Sequence, residues 1–274
     1  MHPILLESLQ RLQEYYAQDE RCLGMYLSGS IGAGTTDEWS DVDADAVFRD
    51  EDYPTIKAEI RAVCEAQCGP LLVWLPEGES EDNVNYAFLF EAGGRSHLFD
   101  FAACRERFIR NAPWLRPQRI LFDRTGLLAK AMQRTPVPCF NPADLLHQIN
   151  IYYVYAYLSG KYFRRGDVYK MMYVQQVIFQ AHLRVLNAFY PQAEWNWWAR
   201  DIHALSPEQQ TELLVYFGSN QCQTIAGALQ NEMNLFSRDA QAACERYALR
   251  YPVELERGVR EHFTLMGLTT QDNH

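Results

Sequence analysis

The sequence predicts an α+β chain in which a strand-rich half with its own helices is followed by an all-helical half. Three observations carry that reading. Up to about residue 134, short runs rich in Val, Leu, Phe and Tyr alternate with helical stretches. The segment Thr135-Pro136-Val137-Pro138-Cys139-Phe140-Asn141-Pro142 then places three prolines in eight residues, which breaks regular structure. Beyond it the apolar residues recur at helical spacing and strand signals almost vanish. Domains are therefore expected over residues 1–134 and 141–274.

Taken in order, the N-terminal MHPILLESLQRLQEYY has the amphipathic period of a helix and not the profile of a signal peptide. Strand character is expected in MYLSGS (25–30), VDADAVF (42–48), LLVWLP (71–76), NYAFLFE (85–91), SHLFDFAA (96–103) and RILFD (119–123). Ala92-Gly93-Gly94-Arg95 reads as the turn of a hairpin joining the fourth and fifth of these. In the second half, Asn141 caps a helix with Pro142 in its first turn, running from Leu145 to Arg165 and stopping at Gly166. Asp167 caps the next, from Val168 to about Phe189, and further helices are expected near 206–217, 220–248 and 253–267.

A chain of 274 residues with 48% hydrophobic content can bury a substantial core. No stretch approaches the roughly 18 uncharged apolar residues of a membrane span, and a cytoplasmic location is expected. The formal charge of −10 argues against a nucleic-acid partner, whose binding draws on clustered Lys and Arg. It suits a cationic small ligand. Seven cysteines, odd in number and without a CxxC pair, are expected as free thiols; Cys64 and Cys68 lie one helical turn apart but lack a second pair to complete a metal site.

The chemistry concentrates in Leu27-Ser28-Gly29-Ser30-Ile31-Gly32-Ala33-Gly34 and the Asp41-Val42-Asp43-Ala44-Asp45 that follows. A strand ends in a glycine-rich turn, and a second strand carries acids at alternate positions. Side chains two apart share a face, so Asp41, Asp43 and Asp45 are expected together, and three like charges repel. Two Mg²⁺ ions about 3.5–4 Å apart would resolve that repulsion and clamp an in-line phosphoryl displacement. The backbone of Gly29 can approach a phosphate closely, and the Ser30 hydroxyl adds a donor.

Gly29-Ser30, then eleven positions to Asp41, then Asp-x-Asp within an apolar strand, resembles the signature of the polymerase-β-type nucleotidyltransferase superfamily. Within it the chain looks most like the small bacterial antibiotic nucleotidyltransferases that adenylylate aminoglycosides or lincosamides. The resemblance covers roughly residues 20–130 by motif and the helical half by architecture. It implies an N-terminal mixed-sheet catalytic domain, ATP as co-substrate, two Mg²⁺ ions held by Asp41 and Asp43, and a hydroxyl-bearing acceptor. It also implies a third carboxylate on a later strand, for which Asp100, the one acid in an apolar strand, is the candidate as metal ligand or base. The other reading of Asp100 is an ion pair with Arg95 or Arg105, or a solvent-facing edge position. Asp45 matches no catalytic position of the family and reads as a supporting or substrate-facing acid, and Asp123 as a turn residue.

Similar enzymes bring a basic residue from the helical half to the triphosphate. Lys161, Arg165 and Lys170 are the candidates, against the plainer reading of a basic helix end facing its own dipole. Tyr152, Tyr153, Tyr155, Tyr157, Trp195, Trp197 and Trp198 read mainly as core, some as walls of a ligand cleft. His147 and His182 read as packing or surface residues. The expected activity is Mg²⁺-dependent transfer of a nucleoside monophosphate to a small, cationic acceptor bound between the domains. The competing readings are a protein adenylyltransferase and a non-catalytic nucleotide sensor or antitoxin-like protein on the same fold.

Overall fold

The computed structural model describes residues 2–112, 115–134, 141–190, 198–218 and 220–268. The chain divides into two compact units, Met1–Pro136 and Val137–His274. The prolines 136 and 138, Cys139, Trp195 and Trp197 lie outside the described residues.

The first unit opens with α1 (Pro3–Gln18), β1 (Cys22–Leu27), the one-turn α2 (Gly29–Ala33) and β2 (Val42–Phe48). There follow α3 (Tyr53–Cys68), β3 (Leu71–Glu79), β4 (Asn83–Ala92), β5 (Arg95–Arg105), α4 (Glu106–Asn111), β6 (Arg119–Asp123) and α5 (Leu127–Met132). The strands form one mixed sheet in the order β3-β4-β5-β2-β1-β6. Among the described residues only the β2–β5 pairing is parallel. The expected hairpin is present: Ala92 pairs with Arg95, and the two intervening glycines both have positive φ, as a two-residue turn between twisted strands requires.

Period-2 alternation gives the sheet two unlike faces. One is apolar: Val42, Ala44, Phe88, Phe99 and Phe101 pack with Leu9, Leu12 and Tyr16 of α1 and Ile56 and Ile60 of α3. The opposite face is covered only in part, where Tyr26, Val47 and Cys104 pack under Ile109 of α4 and Leu127 and Leu128 of α5. Cys64 and Cys68 belong to the first core, where burial pushes both thiols up, Cys68 to about 12. All six described cysteines are free.

The second unit is helical throughout its described residues. It comprises α6 (Pro142–Arg164), α7 (Val168–Leu186), α8 (Trp198–Asp201), α9 (Pro207–Leu213), α10 (Cys222–Arg246) and α11 (Val253–Met266), with short 3₁₀ turns after α7, α8 and α9. Asn141 and Asp167 cap α6 and α7 through their side chains. Tyr152 and Tyr153 are core, Tyr152 stacking on Phe236 with ring centroids 3.5 Å apart. Tyr157 is exposed and stacks on His262. His182, fully buried, lies 2.9 Å from Asp239 and 2.8 Å from the Tyr216 hydroxyl, and desolvation holds its pKa below the usual value. It is a packing residue. No helix among the described residues is long and apolar enough to cross a membrane.

Glu232 of α10 is 0% exposed and takes one hydrogen bond from Gln175 at 3.1 Å, while its second carboxyl oxygen has no partner among the described residues. Burial pushes its pKa up to about 8. Unfolded, the same group loses its proton near 4.5; between those values the folded chain holds a proton that the unfolded chain has released, so stability falls as pH rises through that window. Glu232→Gln is expected to be more stable than the parent, with the gap widening from pH 5 to pH 8 in urea denaturation. A gap independent of pH would show that the carboxyl is not the source.

Candidate active site

Strand β1 delivers the chain to the Gly-Ser turn at the margin of the partly uncovered face. Gly29 has φ +60°, and a Cβ placed there would come within 1.7 Å of Asp43 Oδ2. Only glycine lets the turn press its backbone against that carboxylate. The Ser28 amide donates to the Asp43 carbonyl at 3.1 Å, and the Ser28 hydroxyl donates to Asp45 Oδ2 at 3.1 Å, locking the turn onto β2. The Ser30 hydroxyl oxygen is buried without a hydrogen-bond partner among the described residues, so a donor is held ready beside the turn at a desolvation cost.

The expected row of three strand acids is modified. Asp43 and Asp45 are in β2, but Asp41 stands just before its first residue, so the pleat does not set its direction. Asp41 instead joins Trp39, Arg95, Ser96 and Leu98 around a cavity of about 630 Å³ at the open end of the sheet. Asp45 is 7% exposed and held by Ser28. This corrects the substrate-facing reading of Asp45: it supports the turn from below.

Asp100 is brought to Asp43 by the parallel pairing, in which the two are register partners. Adjacent strands lie roughly 4.8 Å apart, so register partners on one face have neighbouring side chains. Burial, then the charges of Asp43, Glu77 and Asp41, push the Asp100 carboxyl up to about 7. Its Oδ1 is buried without a hydrogen-bond partner among the described residues. The ion-pair alternatives find no support: Arg105 is engaged by Asp82 and by the carbonyls of Glu81 and Asp50, and Arg95 is exposed. Asp123 takes the amides of Thr125 and Ala129 at 3.3 and 2.9 Å, the work of a turn.

The paired strands thus set Asp43 beside Asp100, with the Gly-Ser turn folded onto Asp43. The first unit is an α+β body whose six-stranded mixed sheet sets these two acids side by side. No family model matches the chain, and no curated protein matches it. Among solved structures it is similar to an aminoglycoside 6-adenyltransferase from Bacillus subtilis, at 14% identity over 98% of this chain and 100% of that one, with a TM-score of 0.46. It is also similar to a nucleotidyltransferase-designated protein from H. pylori, at 9% identity over 90% and 97% of the two chains, with a TM-score of 0.27.

Among the described residues no three His, Cys, Asp or Glu side chains converge enough to hold a metal alone. Mg²⁺ is commonly held by one or two carboxylates together with substrate phosphates, and an incomplete acidic set with raised proton affinity fits that mode. In the helical unit, Lys161, Arg165 and Lys170 are all exposed at the α6–α7 junction. Lys170 pairs with Asp167 at 2.7 Å, and Lys161 lies over the Tyr162 ring. Sequence reasoning missed two contributors: Ser28, whose role depends on a cross-strand contact, and Glu77, which the pattern offers only as an acid after a proline inside a strand.

Proposed function

We propose that this chain is a metal-dependent nucleotidyltransferase that moves a nucleoside monophosphate, AMP from ATP in the first instance, to a hydroxyl of a small cationic molecule such as an aminoglycoside or lincosamide. The observation that supports it is the Asp43–Asp100 register pair with the Gly29-Ser30 turn packed on Asp43.

In this reading Asp41, Asp43 and Asp100 hold Mg²⁺, and Gly29 with Ser30 grips the triphosphate through backbone and hydroxyl donors. Bound metal supplies neutralisation of charge on the reacting phosphate. Asp100 has a second capacity: its carboxylate can take the proton of an attacking hydroxyl. Lys161, Arg165 and Lys170 are proposed as phosphate contacts, Lys170 by exchanging Asp167 for the nucleotide. A protein adenylyltransferase would use the same residues on a macromolecular acceptor, whereas a sensor would bind nucleotide without turnover.

The test is pyrophosphate release from ATP and Mg²⁺ across aminoglycosides, lincosamides and unrelated polyols, beside thermal stabilisation by ATP with and without Mg²⁺. Acceptor-dependent pyrophosphate and Mg²⁺-dependent stabilisation are expected. Stabilisation indifferent to Mg²⁺, with no pyrophosphate from any compound, would overturn the reading.

A further inference from the structure

On the face that carries Asp43 and Asp100, the strand register continues outward into an apolar shelf. Val73 pairs with Leu89 and Leu89 with Leu98, while Leu75 pairs with Ala87 and Ala87 with Asp100. Two cross-strand rows thus run from β3 to β5, and the second ends on the proposed catalytic acid. Val73, Leu75 and Leu98 are 47%, 50% and 39% exposed. Apolar side chains clustered on one open sheet face are a binding feature more often than an accident of composition.

At the margin of the shelf, the register shift between Pro76 and Gly78 leaves Glu77 as the extra residue of a bulge, a device that re-aims a side chain. Asn85, a neutral residue, donates to Glu77 Oε2 at 3.1 Å, and among the described residues no cation pairs with this carboxylate. Glu77 and Asp100 stand two strands apart, roughly 10 Å at the backbone.

Resting on the transferase reading above, we infer that this shelf seats the acceptor, with its ring face on Val73, Leu75 and Leu98, its ammonium at Glu77 and its reactive hydroxyl at Asp100. The acceptor class follows: a ring compound with an apolar face, bearing an amine about 10 Å from the hydroxyl that is modified. Glu77 is a specificity-determining residue, not a catalytic one.

The experiment pairs each of several aminoglycosides with its fully N-acetylated, uncharged derivative. Each is titrated calorimetrically into the full-length protein holding Mg²⁺ and an ATP analogue with a methylene bridge at the scissile position, and pyrophosphate release is measured separately with ATP. Glu77→Gln is expected to weaken binding of charged probes about tenfold and reduce its salt dependence, leaving neutral derivatives and the ATP analogue within about twofold. Leu75→Lys, which sets a cation on the exposed shelf, should act in the same direction, and Glu77→Asp should retain most of the affinity. If charged probes bind the parent no tighter than their derivatives, or Glu77→Gln weakens both alike, the inference falls, whatever the turnover. Glu77-dependent binding of charged probes without pyrophosphate from any compound would uphold the shelf and sink the transferase reading instead.

Discussion

Asp43→Asn is expected to abolish nucleotidyl transfer, by about a thousandfold or more, while leaving the chain folded. The carboxylate lies against the Gly29 backbone and beside Asp100, so it holds the central place in the acidic set. A ligand that neutralises charge developing on a transferring phosphate contributes several kcal/mol, and each 1.36 kcal/mol is a factor of ten in rate. The amide keeps the shape that fits over Gly29 but cannot hold a dication. The chain should stay folded, because the amide matches the carboxylate in size and shape, and far-ultraviolet ellipticity of the metal-free variant is expected to match the parent's. The Asp100 carboxyl should also titrate lower, which carbon-detected NMR of the side-chain carboxyl would follow. Turnover within threefold of the parent would remove Asp43 from the site.

Asp100→Asn carries the second large effect, a fall in maximal rate of about 10²–10⁴. The nucleotide decides what Asp100 does. ATP affinity near the parent's would identify it as the proton acceptor, and a parallel loss of Mg²⁺-dependent affinity would identify it as a ligand. An unchanged rate would return it to a structural role. The raised pKa of Asp100, about 7 against 3.8, also fixes a sign. In metal-free protein the folded state keeps the proton over that interval and the unfolded state has lost it, so stability declines as pH rises from about 4 to about 7. Metal needs the carboxylate and is expected to bind more tightly over the same rise, releasing a proton as it does. Asp100→Asn should flatten both dependences.

Whatever depends on near neighbours is legible in the sequence. Strands such as VDADAVF and SHLFDFAA announce themselves through alternation, and α6 and α7 through Asn141 and Asp167 as caps and Gly166 between them. The Gly-Ser turn and β2 are readable for the same reason, though the turn proves to be one helical turn and not a loop. The parallel β2–β5 pairing is not readable from alternation, because nothing local in either strand states which strand will lie beside it. The place of Asp100 comes from the motif resemblance, and its register against Asp43 from the structure. Alternation misleads at Asp45, because it puts that residue on the face of Asp43 without revealing how deep along the strand that face is buried, nor that Ser28 reaches it. Glu77 escapes because a bulge changes side-chain direction by one residue without changing composition.

The parallel pairing also bears on how this protein becomes active. β4 and β5 can zip together as a local hairpin, and β1 with β2 as another, but neither hairpin alone has both carboxylates. They meet only when the two hairpins dock along β2 and β5, a pairing between strands separated by α3, β3 and β4. Such long-range pairings carry a large loop-closure cost and form slowly. The ability to capture Mg²⁺ with nucleotide would then arise in the final stage of sheet assembly, and a refolding experiment that follows nucleotide capture beside far-ultraviolet ellipticity should find the first lagging the second.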